Sequence, residues 1–232
     1  MKKTKSPLII FLAVFFLTGF SANSYSWNDE THVAITKVTG YKKWYNATGA
    51  DMAKLKAGKI EELNHYVNNS RETIVTPELV LQQIRYYNQT NDIMGHLYGA
   101  ILASVRDYLK EKHEGKYGEY HLAFCAHYVG DLSQPLHNTW YNSYNRKHHR
   151  TIDGIINDEV LDHIDKIKIY PIKIESEKDL ADEIARIANL SIRKGEQIQD
   201  EKRLLTKQEA YDQISHSASL FKAILEYVKK ID

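Results

Sequence analysis

Between residues 91 and 112 the apolar side chains Ile93, Leu97, Ile101, Val105 and Leu109 recur at every fourth position. That period gathers them on one face of an α-helix and does not suit a strand, whose side chains change face at every residue. One such helix cannot bury its stripe alone, so the rest of the chain must supply partners of the same kind. Thr76-Pro77-Glu78 starts another helix: a cap residue, a proline fitted to the first turn and an acid near the positive end of the dipole, with Leu79, Val80, Ile84 and Tyr87 on one face behind them. Thr206-x-x-Glu209 has the spacing of a capping box and opens a last helix over 206–230. Further helices are expected over 28–39, 120–132, 151–167 and 178–199, with short helices and loops over 41–71 and irregular chain over 140–150. Val75 and 169–174 are the plausible strand fragments. There is no internal repeat and no linker rich in Pro, Gly or Ser. The expected class is all-α, a single compact multi-helix domain.

The first residues have the form of an export signal. Lys2, Lys3 and Lys5 precede an apolar run from Leu8 to Phe20, and Ser24 and Ser26 stand at the small-residue positions of a cleavage site. The run is short for a membrane span, which takes ~20 residues. Cleavage after Ser26 divides the chain into a signal, 1–26, and a domain, 27–232, of 206 residues beginning at Trp27. That length supports one adequate core. A periplasmic or secreted protein without a stable membrane span is expected, and no protein partner is indicated.

Removing the three signal lysines from 31 Lys+Arg leaves 28 against 30 Asp+Glu. No basic excess advertises nucleic acid or an anionic membrane, so attraction for phosphate would have to come from bound cations. The single cysteine, Cys125, cannot make an internal disulfide, and its neighbours Leu122, Ala123, Phe124 and Ala126 predict a buried small hydrophobe.

Chemistry is concentrated in the run His127-Tyr-Val-Gly-Asp131-Leu-Ser-Gln-Pro135-Leu-His137. His127 and Asp131 are four apart and leave a helix from one face. Pro135 ends that helix, and the turn it imposes can return His137 toward the same face. Two imidazoles and a carboxylate form most of a zinc site. The plainer reading is a helix end with polar side chains. His149 and Asp153 repeat the four-residue spacing and would complete a second such set with His137. Against this stands an exposed basic turn, Arg146 to Arg150.

His32 lies close behind Trp27, whose free α-amino group, of pKa near ~8, would give up its proton to a metal near neutral pH. His65 follows Asp51 by fourteen residues, while Asp92 and His96 form a rival four-apart pair. His96 lies on the apolar-periodic side next to Leu97, which favours a core histidine bonded to Asp92 over a ligand. His113, His121, His163 and His216 read as surface or satisfied histidines.

Together these residues resemble the superfamily of zinc-dependent phospholipases C and single-strand-specific zinc nucleases. The resemblance covers Trp27 to Asp153 and is most specific in the His127–His137 run. It implies a helical domain of that type holding three zinc ions. One would be held by Asp51, His65, His127 and Asp131, a second by His137, His149 and Asp153. The third would take the amine and carbonyl of Trp27, His32 and a bridging Asp131. Three divalent ions against three carboxylates leave a local charge of about +3, enough to attract a phosphate diester. Asp51 and Asp131 are the residues expected to serve catalysis, Asp51 by orienting or deprotonating the attacking water.

The resemblance divides over the diester. The short Trp27-to-His32 interval and the Asp at Asp153 are nearer the nuclease branch; the fourteen-residue Asp51-to-His65 interval is nearer the phospholipase branch. Glu30 falls where phospholipases of this type carry an acid near the head-group site, although an acid in a helix's first turn is favoured by the dipole anyway. Tyr86, Tyr87 and Tyr141 are candidates for stacking bases, and 142–150 is a candidate substrate-side loop. A phospholipid-hydrolysing phospholipase C-like enzyme is the favoured expectation. A nuclease of the same superfamily, with nucleic acid as substrate, is the alternative, and a non-catalytic periplasmic zinc-binding helical protein is a third.

Overall fold

The computed structural model describes residues 27–231, and the expected export segment lies outside the described residues. Among the described residues nine α-helices succeed one another without a strand. They are α1 (Asp29–Val38), α2 (Gly49–Ala57), α3 (Lys59–Glu62), α4 (Pro77–Gln83), α5 (Leu97–His113), α6 (Glu119–Leu132), α7 (Ser143–Asp153), α8 (Glu177–Asp200) and α9 (Lys207–Lys230). None of them is long and apolar enough to cross a membrane.

Helix starts follow the local chemistry. The Thr76 side chain accepts from the Leu79 amide with Pro77 in the first turn, and Ser176 and Thr206 both close full capping boxes, with Asp179 and Glu209. α5 lies at the centre, packed by α4, α6, α8 and α9. Its N-terminal half is buried on every side from Leu97 to Val105, more than an amphipathic stripe requires. The main core joins Leu97, Ile101 and Leu102 of α5 to Tyr128 and Val129 of α6 and Phe221 and Ile224 of α9. A second cluster joins Trp27, Ile35, Leu136, Ile152, Ile156 and Ile214. α9 contributes to both, and the histidine-rich centre lies on helices that flank them.

Three expectations are corrected. α5 begins at Leu97, not 91, because the Asp92 side chain accepts from the Met94 amide and Gly95 takes φ +81°, closing a turn before the helix. A Cβ at Gly95 would meet the Tyr66 carbonyl oxygen at 2.2 Å, so the turn also needs glycine for close approach. Ile93 is consequently exposed rather than part of the stripe. Second, 140–150 is not irregular and 151–167 is not one helix. Asn142 caps at its side-chain oxygen the amide of Asn145, 2.9 Å away, so α7 starts at Ser143 and stops at Asp153. Third, Val75 and 169–174 pair with side chains instead of strands. Val75 exchanges two hydrogen bonds with the Asn189 amide on α8, and Tyr170 donates its backbone N–H to Ser219 on α9. Cys125 is buried as expected, and burial pushes its thiol up to about 12.

Candidate metal centre

α6 carries His127 and Asp131 into the interior on consecutive turns, with His127 Nε2 3.4 Å from Asp131 Oδ2 and both side chains fully buried. The helix ends at Leu132. Pro135 starts a single 3-10 turn, Pro135–Asn138, which Gln134 caps by accepting from the amides of Leu136 and His137. Asn138 locks the turn by donating to the carbonyls of Leu132 and Gln134. The chain therefore doubles back and sets His137 Nδ1 3.5 Å from Asp131 Oδ1.

Three other segments converge on the same place. α1 brings in His32, whose ring stacks on His127 at 3.8 Å and 11° from parallel, with Nε2 3.5 Å from Asp131 Oδ1. The loop after α3 presents His65, with Nδ1 2.9 Å from Asp131 Oδ2 and 3.9 Å from Asp51 Oδ1. Val67 donates its backbone N–H to the His137 carbonyl, fixing that loop against the 3-10 turn. α2 places Asp51 3.7 Å from His127 Nε2. One carboxylate, Asp131, thus lies within 3.5 Å of four imidazoles. On the far side of His137, α7 supplies His149 and Asp153, 3.5 Å apart, and the rings of His137 and His149 stack at 5.0 Å.

These side chains make three groups that can hold a metal ion: His32 with His127 and Asp131; Asp51 with His65 and His127; His137 with His149 and Asp153. Two observations fit a metal. Three of the rings are braced at Nδ1 by oxygen acceptors: His127 by the Ala47 carbonyl at 2.8 Å, His137 by the His65 carbonyl at 2.8 Å and His149 by the Asn145 side chain at 2.6 Å. Such bonds fix the tautomer that leaves Nε2 as a ligand. In addition, His137 Nε2 and Asp153 Oδ2 are buried without a hydrogen-bond partner among the described residues, a costly arrangement unless something else satisfies them.

Electrostatics agree with ligation. Burial holds His32 and His127 down to about 4 and His149 to about 3, and puts His65 and His137 well below the usual imidazole range. The rings are neutral near pH 7, as a metal requires. Burial works against ionisation of Asp51, yet His127 and the Lys54 ammonium, 2.8 Å away, hold it below the ordinary carboxylate range. Burial, only partly opposed by the Gln134 amide, drives Asp153 well above it. A cation beside Asp153 would reverse that shift.

Trp27 is fully buried, its indole donating to Ser133 Oγ at 3.3 Å, and its backbone is hydrogen-bonded to the His32 ring. The rival pair does not join the cluster. His96 is buried in the core role expected of it, but its hydrogen bond runs from Nε2 to Asn64 Oδ1 at 2.9 Å, with Asp92 only 3.9 Å from its other nitrogen. Glu30 is exposed in the first turn of α1. A cavity of about 110 Å³ opens beside His149, lined by Glu62, Tyr66, Asn68, Leu136 and Tyr141. Of the stacking candidates Tyr141 stands there, whereas Tyr86 lies near the His96 ring and Tyr87 near Tyr128.

Sequence reasoning missed Lys54, Tyr66 and Glu61. Lys54 is three residues after Asp51 and Tyr66 directly follows His65, so both were legible as neighbours of ligand candidates. Glu61 is four before His65, the same spacing that identified the other pairs. Compared with known proteins, the chain matches no protein-family model, no curated protein and no solved structure.

Proposed function

We propose that this chain is a zinc-dependent phosphodiester hydrolase, exported and phospholipase C-like, of the type its sequence resembles. The observation that carries the reading is the sharing of Asp131 among buried histidines of three metal-competent groups. The ligand sets are those the resemblance implies. Asp51, His65, His127 and Asp131 would hold one zinc, and His137, His149 and Asp153 a second. A third would take His32, Asp131 and Trp27, through a free amine once residues 1–26 are removed. Bound ions would supply Lewis acidity and lower the pKa of an attacking water.

The residues around them have separable tasks. Asp51, kept ionised beside Lys54, would orient that water toward phosphorus. Lys54 adds positive charge next to Asp51, where a non-bridging phosphate oxygen would lie. Asp131 holds the histidines at fixed separation, so the phosphate meets a preorganised field. The cavity beside His149 receives the group attached to phosphate. Its tyrosine faces and the Glu62 carboxylate suit a quaternary ammonium head group.

A second reading draws on the same cavity. Tyr66 and Tyr141 also offer flat faces for a base, and the Asn68 amide could pair with a base edge. The deciding experiment is turnover by the zinc-loaded protein beginning at Trp27, on phosphatidylcholine beside single-stranded DNA and RNA. Release of phosphocholine supports the first reading and nucleotide release the second. Absence of both, with zinc bound, leaves the zinc-binding protein and refutes the hydrolase.

A further inference from the structure

Behind His65, away from the other ligands, stands a carboxylate that the proposed reaction does not use. Glu61, on α3, is buried, with Oε1 3.4 Å from His65 Nε2. The Tyr128 hydroxyl donates to the same Oε1 at 2.5 Å, and the Asn64 side chain donates to Oε2 at 3.2 Å. Tyr128 follows His127 on α6, so the chain that places one ligand also anchors the support of another. A buried carboxylate is expensive to keep unless it is paired.

His65 is also oriented differently from its neighbours. His127, His137 and His149 each hydrogen-bond a neutral oxygen through Nδ1. His65 turns Nδ1 inward, toward Asp51 and Asp131, and Nε2 outward toward Glu61. The group nearest its outer nitrogen is thus a carboxyl, in ion-pair range without a hydrogen bond, where theirs are hydrogen-bonded neutral oxygens. When ionised, a carboxyl so placed makes an imidazole a stronger donor to metal and adds negative charge near the ion.

We infer that Glu61 is a positioning residue of the metal centre, forming with His65 a carboxylate–histidine–metal relay that tightens the ion shared with Asp51 and leaves the others alone. Tyr128 and Asn64 hold the carboxylate in place. This rests on the reading of the cluster as a metal centre, and it assigns the Asp51 position a different affinity from its neighbours.

The test is zinc affinity, by competition with a chromophoric chelator, for wild type, Glu61→Gln and Tyr128→Phe, with melting of each metal-free protein alongside. Glu61→Gln keeps the shape and an acceptor oxygen but not the charge. It should weaken one zinc equivalent by about 10–100-fold and leave the others as in wild type. Tyr128→Phe, which keeps the carboxylate and loses its anchor, should weaken the same equivalent by a smaller factor. Unchanged affinity in Glu61→Gln, or a lowered metal-free melting temperature with every equivalent weakened alike, overturns the inference in favour of a structural role. Should Glu61→Gln not fold, Tyr128→Phe decides: unchanged affinity there also overturns it. Wild type that binds no zinc fails a different claim, the metal centre itself.

Discussion

His32 packs so closely against Gly130 that a Cβ on the glycine would lie 2.4 Å from His32 Nδ1. Gly130 sits between two ligand candidates on α6, and its missing side chain is the space in which His32 stacks on His127. Glycine is disfavoured inside a helix by ~1 kcal/mol relative to alanine, so packing on the ring, not local preference, accounts for it there.

Gly130→Ala should therefore behave opposite to a routine helix improvement. Overpacking costs ~1–3 kcal/mol, which matches or exceeds the helical gain. The variant is expected to melt at or below the wild-type temperature. It should also lose about 10-fold or more in affinity for the ion that uses His32, through displacement of a ligand. Calorimetry and zinc titration of the same preparation check both. A more stable protein with unaltered zinc binding would contradict the packing argument.

Asp131 and Asp153 should differ when neutralised. Asp131 lies within 3.5 Å of His32, His65, His127 and His137, whereas Asp153 lies 3.5 Å from His149 and shares one ligand group, with His137 and His149. Asp131→Asn should weaken two metal positions and abolish turnover; Asp153→Asn should weaken one. Metal content after dialysis against a graded chelator distinguishes them. Equal losses would speak against a bridging Asp131.

Acid should destabilise the metal-free protein well above the usual carboxylate range. Burial holds His32 and His127 at about 4, below the ordinary imidazole value of 6.5. Between those values the unfolded chain takes up protons that the folded one refuses. Stability is therefore full above about pH 6.5 and falls as the pH drops toward 4. Urea midpoints at pH 7 and pH 5 measure this. A midpoint that rises at pH 5 would mean that the buried carboxyls of Glu61 and Asp153, raised by burial, govern the acid response in place of the rings.

Much of this was legible in the chain, for identifiable reasons. His127, Asp131 and His137 announced themselves because a helical period and a proline fix their relation locally. His149 and Asp153 did so by spacing, although the helix that carries them was misplaced. The charged run from Arg146 to Arg150 has no apolar period, and the start of α7 depends on the Asn142 cap rather than on any such period. Gly95 likewise ends the apparent stripe of α5 through a turn that spacing alone does not register. Glu61 stayed hidden for a deeper reason. Its meaning depends on Tyr128, 67 residues away, and on which nitrogen of His65 faces inward. Those are tertiary facts.

The amino terminus offers a sharper check on the third ion. A free amine at Trp27, with pKa near ~8, can be displaced from its proton by zinc; an amide cannot be so readily. Protein made with one extra residue before Trp27 should bind about one zinc fewer and lose most of its activity, while melting nearly as wild type without metal. Full zinc content in the extended form would remove Trp27 from the ligand set.

The metal content of the protein beginning at Trp27 tests the shared centre most directly. Purified, loaded with excess zinc and freed of loosely bound ions, it should carry about three zinc ions per chain by elemental analysis. One ion or none would contradict the shared centre around Asp131.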